Sequence, residues 1–228
     1  MKIKILGEEK NYIQIGTVMT DEEYRNQGLS RFLMEKVLNE WENKCDCIYL
    51  FANDTVLDFY PKFGFERVYE HQYFIKKNKG KGSEKVRKIN IDDNKDKELL
   101  ENIINNSIQI SKLYVKENKN LVMFYCLDFL KDNIYYIEDY NAIAICEYDG
   151  EELFIQDIFM DKEIDLNIVI NSLMNQDNKI IRLGFTPINI EEYNKESLND
   201  DNDALYIKSK SESIFNNENI MFPTLSHT

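Results

Sequence analysis

The order of apolar patterns in the first fifty residues constrains the fold more than anything else in the chain. Ile13 to Thr20 reads as a strand, Leu29 to Trp41 repeats apolar residues at helical spacing, and Cys47 to Ala52 ("CIYLFA") is a short buried strand. Leu29, Phe32, Leu33, Val37, Leu38 and Trp41 are expected to form the helix's one buried face. A strand, a returning helix and a second strand can only place the two strands parallel, and the crossover should be right-handed. Met1 to Leu6 alternates as a preceding strand, and Gly7 to Lys10 reads as the turn after it.

Beyond Ala52, Asp54 to Tyr60 suits a short helix that Pro61 stops, and "FGFERVYEHQYFI" continues as aromatic-rich strand material. The charged, glycine-containing run 76–85 is the clearest boundary. Domains are therefore expected over 1–75 and 86–228. In the second, strands are expected at 85–91, 135–137, 142–147, 153–159, 180–185 and 205–208, and helices at 97–110, 121–130 and 166–174. "NKESLNDDND" (194–203) reads as a polar loop, while Met221, Phe222 and Leu225 give the tail something to dock with. "IQIGTVMTDEE", helix, "IYLFAN" parallels "FIQDIFMDKEI", helix, "IIRLGFTP", which suggests a diverged internal repeat. The second copy has no glycine between Met160 and Leu166, so it should not bind what the first binds.

A net charge of -13 argues against nucleic acid as a partner, because phosphate backbones recruit basic faces. No apolar run reaches membrane-spanning length, and the first residues lack the apolar core of a signal peptide. Cys45, Cys47, Cys126 and Cys146 form no CxxC pair and read as buried structural thiols of a reduced, cytoplasmic protein without a metal.

The junction "MTDEEYRNQGLS" (Met19–Ser30) sits where the first parallel strand runs into the helix. The first turn of a helix leaves amides unpaired and carries partial positive charge, and glycine lets a ligand approach the backbone closely. That arrangement suits a phosphate or pyrophosphate, although a lone glycine also serves a simple tight turn. Arg25-x-x-Gly28-x-Ser30 after a strand resembles the pyrophosphate loop of the GNAT N-acetyltransferase family, with Ser30 where the family usually has Gly or Ala. "NDTVLDFYPKFGF" (Asn53–Phe65) resembles the family's second signature, in the right order and at the right distance.

The resemblance implies an α/β (α+β) fold: an acyl-CoA N-acyltransferase-like mixed sheet with a crossover helix, N-terminally incomplete, followed by a degenerate second copy. It implies acetyl-CoA as co-substrate. Backbone amides of Arg25, Asn26, Gln27, Gly28, Leu29 and Ser30 would hold the pyrophosphate. Val18 and Met19 would pair with the pantetheine arm, an amide near Met19 would face the oxyanion, and Asn53 would fix the arm where the strands splay. Tyr60 matches the tyrosine that protonates the departing thiolate. A phenol of pKa about 10 keeps its proton at neutral pH, whereas a thiol of pKa about 8.5 leaves readily. Taken singly, Tyr60 could equally be packing, and Phe59, Phe63 and Phe65 read as core.

The family's usual first strand, two helices and second strand do not precede Met1. Their absence would leave Met1 to Leu6 as a sheet edge open to a second copy and the acceptor pocket short of walls. The expected activity is direct acetyl transfer to a primary amine, small-molecule or peptide, in a ternary complex. The alternative is a non-catalytic acyl-CoA-binding module. The Thr228 carboxylate or His227 is a candidate visitor to the active site.

Overall fold

The computed structural model describes every residue except 78–81, 83–84, 199–201, 211–212 and 228, together with the side chain of 216. In chain order the elements are β1 (Lys2–Ile5), β2 (Glu8–Gln14), α1 (Leu29–Trp41), β3 (Cys47–Ala52), β4 (Glu66–Arg67), β5 (Glu70–Lys76), β6 (Val86–Lys88), α2 (Asn94–Asn106), β7 (Leu113–Val115) and α3 (Lys119–Leu127). They continue with β8 (Ile134–Ile137), β9 (Ala142–Asp149), β10 (Glu152–Met160), α4 (Leu166–Leu173), β11 (Ile180–Leu183), β12 (Asn194–Leu198), β13 (Ala204–Ser209) and α5 (Ile214–Asn217).

Two compact units interleave along the chain rather than dividing at the expected boundary. Unit 1 comprises 1–70 and 197–219, and unit 2 comprises 71–196 and 220–227. The reason lies in two strands. β5 follows β4 directly yet pairs antiparallel with β11, through Arg182↔Phe74, Ile181↔Ile75 and Ile180↔Lys76. β13 comes late in the chain yet pairs antiparallel with β3 along its whole length, from Ala204↔Ala52 to Ser209↔Cys47. Most of the expected 76–85 linker lies outside the described residues.

In unit 1 the β1–β2 hairpin is antiparallel, β2 pairs parallel with β3, and α1 is the crossover between them. Among the strands of unit 1 the order is β4-β13-β3-β2-β1. β3 is buried almost throughout, as a central strand covered on both faces must be. α1 matches its expected bounds, but its buried face differs. Met34 and Leu38 are buried and pack on Ile48, Leu50 and Ala52. Leu29, Phe32, Leu33 and Trp41 are each at least 41% exposed. The stripe over the sheet runs through Ser30, Met34 and Leu38 at i, i+4, i+8, so residues one or two positions away point outward. Lysines cover two of the outward rings: Lys36 Nζ lies 4.7 Å from the Phe32 ring and Lys44 Nζ 5.0 Å from that of Trp41.

Unit 2 carries a seven-stranded sheet in the order β12-β5-β11-β10-β9-β8-β6. Period-two alternation along β9 sends Ala142, Ala144 and Cys146 to the side of α4, and Ile143 and Ile145 to the side of α2 and α3. β9, β10, α4 and β11 repeat the hairpin, crossover helix and parallel strand of unit 1. The expected polar loop 194–203 instead begins with β12, and β7 was not expected at all. The tail docks as expected, with Met221, Phe222 and Leu225 buried. All four cysteines are free and buried. Burial pushes the thiols of Cys47, Cys126 and Cys146 up to about 12.

A fragment of residues 1–77 lacks β13 and leaves β3 with an unpaired edge of apolar residues. It should be unfolded or aggregated by circular dichroism and gel filtration, whereas the full chain unfolds cooperatively. A folded, monomeric fragment would contradict the interleaved organisation.

Candidate functional site

The site is built where β2 and β3 part. Their parallel ladder covers Tyr12↔Cys47 to Gln14↔Tyr49 and ends with the Ile15 amide donating to the Tyr49 carbonyl at 2.9 Å. β3 continues to Ala52, paired on its other side by β13. The expected strand over 13–20 therefore stops early, and Thr17 takes a left-handed φ of 52° that turns the backbone out of the ladder. Val18 is partly buried against the cluster containing Ala52 and Tyr60, while Met19 is 77% exposed.

The loop then makes a 3-10 turn over Glu22–Tyr24, capped by Asp21 through the Glu23 amide. Asn26 (φ 61°) and Gly28 (φ 76°) are both left-handed, and Gly28 caps α1 with no side-chain hydrogen bond. A Cβ on Gly28 would meet nothing within 4 Å, so the space above the helix start is open. The Phe32 amide is the first that the helix satisfies, donating to the Gly28 carbonyl at 2.9 Å. The amides before it have no intrahelical acceptor, and residues 21–29 are exposed. The Arg25 amide already donates to the Glu22 carbonyl at 3.3 Å, so of the expected amides those from Asn26 onward are left on offer, while side chains shape the loop. Thr20 Oγ1 and Ser30 Oγ lie 2.6 Å apart and clamp the two ends. The Arg25 Nε donates to the Thr20 carbonyl at 3.3 Å, and its guanidinium pairs with Glu22 at 3.4 Å.

Asn53 ends β3 by capping a second 3-10 turn: its Oδ1 accepts from the Thr55 amide (3.1 Å) and hydroxyl (2.6 Å). Tyr60 is 5% exposed and packs edge-on against Phe59 and Phe65. Burial raises its pKa. Among the described residues its hydroxyl has no hydrogen-bond partner, and it is not sealed from solvent. Pro61 sits inside the 3-10 turn Tyr60–Phe63 instead of ending a helix before it. Phe65 is core and Phe59 and Phe63 pack on it, as expected.

Residues 2–67 match the family described as acetyltransferase (GNAT) domain. Three solved structures share the fold. Eis1 from Mycobacterium abscessus is 11% identical with a TM-score of 0.56, over 91% of this chain and 59% of its own. A GCN5-related N-acetyltransferase from Kribbella flavida is 15% identical at 0.52, over 91% and 55%. A probable N-acyltransferase from Enterococcus faecalis V583 is 14% identical at 0.50, over 91% and 56%. The chain thus spans little more than half the length of these relatives. None of the curated proteins matches the sequence.

Unit 1 brings Val18 and Tyr60 to one cluster, with Asn53 directly after β3 at the mouth between the strands. The loop 25–30 crosses from Thr20 to α1, tied at its base by Thr20. Nothing in the sequence signals Thr20, because its role exists only opposite Ser30.

Unit 2 repeats the parting of strands but fills it. Its ladder ends with the Gly184 amide donating to the Ile155 carbonyl at 2.7 Å. Just beyond, the Thr224 amide donates to the Gly184 carbonyl (2.8 Å) and the Thr224 hydroxyl to the Gln156 carbonyl (3.3 Å). The tail thus takes up backbone groups from both diverging strands. It fits only because residue 184 is glycine: a Cβ there would lie 2.5 Å from Thr224 Oγ1 and 2.8 Å from the Gln156 carbonyl oxygen. The start of α4 is also occupied, by Asp165, whose carboxylate accepts from the Asn167 amide at 2.9 Å. A fixed negative charge there opposes any second anion. Met160–Asn167 therefore lacks the open geometry of the GNAT loop, as its missing glycine implied. Among the described residues no three His, Cys, Asp or Glu side chains gather into a group that could hold a metal ion.

Calorimetric titration with coenzyme A should give one site per chain. A Gly28→Val variant, strained at positive φ and crowding the open amides, should weaken it by about tenfold or more. Two sites per chain, or unchanged affinity in the variant, would contradict this geometry.

Proposed function

We propose that unit 1 is the catalytic unit of an acetyl-CoA-dependent N-acetyltransferase that acts on a primary amine by direct attack in a ternary complex. The observation that carries this reading is the open start of α1 at Gly28, set where β2 and β3 separate. The amides of residues 26–30 hold the pyrophosphate, aided by the helix's positive end. The thioester arm lies in the gap between the strands, alongside Val18 and Met19, with the Asn53 amide NH₂ at its rim. The amine nitrogen attacks the thioester carbonyl carbon, and the resulting oxyanion faces backbone N–H near Met19. Collapse breaks the C–S bond, forms the amide and releases the coenzyme A thiolate, to which Tyr60 gives its proton. The raised pKa of Tyr60 keeps that proton in place well above neutrality. The nitrogen's surplus proton leaves to water, so charge balances once the phenol is reprotonated.

A cytoplasmic location goes with this reading, since four buried free thiols suit a reducing compartment. Among the described residues no helix is long and apolar enough to cross a membrane.

Incubation with acetyl-CoA and a panel of primary amines, following free thiol, should show release dependent on one class of amine. Tyr60→Phe should lower turnover by about 10²-fold with coenzyme A affinity kept. Equal rates in the two proteins would remove Tyr60 from the mechanism. Binding of acetyl-CoA with no thiol released by any amine would instead make unit 1 an acyl-CoA-binding module.

A further inference from the structure

Among the described residues the Tyr60 hydroxyl has no hydrogen-bond partner, so its aim must come from its ring and from the backbone that carries it. That backbone is a succession of single turns. The Val56 amide donates to the Asn53 carbonyl at 3.2 Å, Phe59 to Val56 at 2.9 Å and Gly64 to Pro61 at 3.0 Å. Short 3-10 turns carry little rigidity of their own. Two rings against Tyr60, Phe59 at 5.3 Å and Phe65 at 6.2 Å, belong to or adjoin the same segment and move with it.

A third ring comes from far along the chain. Tyr206, in β13, lies 5.8 Å from Tyr60 with 43° between the ring planes. Its hydroxyl donates at 2.9 Å to the carbonyl of Leu57, the residue that closes the turn capped by Asn53. Tyr206 is itself fixed: it is buried, and its backbone pairs with Leu50 of β3 on one side and Arg67 of β4 on the other. The far end of the segment meets the same strand. Gly64 ends the Tyr60 turn at φ 79°, and Lys208 Nζ lies 2.9 Å from where a Cβ on Gly64 would stand. Undoing the Tyr206 bond would leave a buried hydroxyl and a carbonyl without each other, which is costly. The strand that breaks the expected domain boundary therefore also anchors the segment between Asn53 and Tyr60.

We infer that Tyr206 is a positioning residue for proton transfer at the strand gap, its hydroxyl fixing the Leu57 carbonyl and its ring setting the direction of the Tyr60 phenol. The inference rests on the reading of Tyr60 as the proton donor. Tyr206 makes and breaks no bond to the reacting atoms. The proton passes from the Tyr60 oxygen to the coenzyme A sulfur, and Tyr206 narrows the positions from which it can leave.

The test compares the natural chain, Tyr206→Phe, Tyr60→Phe and the double variant. Thiol release from acetyl-CoA is followed with the amine that supports it, and coenzyme A is titrated calorimetrically. Tyr206→Phe keeps the ring and removes only the bond to Leu57, so kcat should fall about fivefold or more while coenzyme A affinity and the KM for acetyl-CoA are kept. In the Tyr60→Phe background the same change should lower kcat by less than about twofold, because a residue acting through Tyr60 has nothing left to aim. Tyrosine ¹³Cζ spectra give a readout that needs no turnover. Burial holds the Tyr60 phenol above its ordinary pKa, so loosening the segment in Tyr206→Phe should move the Tyr60 titration to lower pH. An unchanged kcat, an equal fall in both backgrounds, or an unmoved Tyr60 titration would each overturn the inference. Full activity in Tyr60→Phe, or no thiol released by any amine, would instead strike the reading beneath it, and the inference with it.

Discussion

Two parallel strands that separate leave backbone N–H and C=O groups without a ladder partner, and such groups must find another acceptor or donor. The chain meets this constraint twice. In unit 2 the answer is covalently attached: Thr224 bridges the carbonyls of Gly184 and Gln156, and the tail around it is buried. In unit 1 the strands part after Ile15 and Tyr49, and the loop that follows is exposed, glycine-capped and held open by its own side chains. One half of the repeat is a closed solution and the other an open one, which is the physical basis for assigning ligand binding to the first.

The open loop depends on side chains that bind each other and not a ligand. Ser30 carries a hydroxyl where the GNAT pattern usually has a smaller residue, and that hydroxyl is spent on Thr20 at the loop's base. Arg25 folds back on Thr20 and Glu22. Main-chain amides from Asn26 onward are left for the anion proposed to bind there, in keeping with a motif in which spacing matters more than the identity of each side chain.

Much of the local structure was legible from sequence because local pattern decided it. α1 and β3 fell on their expected residues since helical spacing and a six-residue apolar run admit few other readings. The errors arose where distant residues decide. Ile13–Thr20 has the pattern of one strand, but the chain leaves the ladder after Ile15 and turns at Thr17 (φ 52°) while β3 runs on to Ala52. The buried face of α1 was misassigned because the helix carries more apolar residues than the sheet can cover. The domain boundary was drawn at a charged run, whereas the units are defined by β5 and β13 pairing across long stretches of sequence. Asp165 capping α4 could have been read from an Asp before a helical run; Gly184 beneath Thr224 could not, because neither residue signals its partner.

The claim that the gap in unit 1 is the open one is tested most directly by hydrogen–deuterium exchange with and without saturating coenzyme A. The account predicts new protection at the amides of 25–31 and at 15–19 and 50–53, with no change at 160–168 or 184–186. Protection confined to the α4 segment, or none at 25–31 despite measured binding, would contradict it.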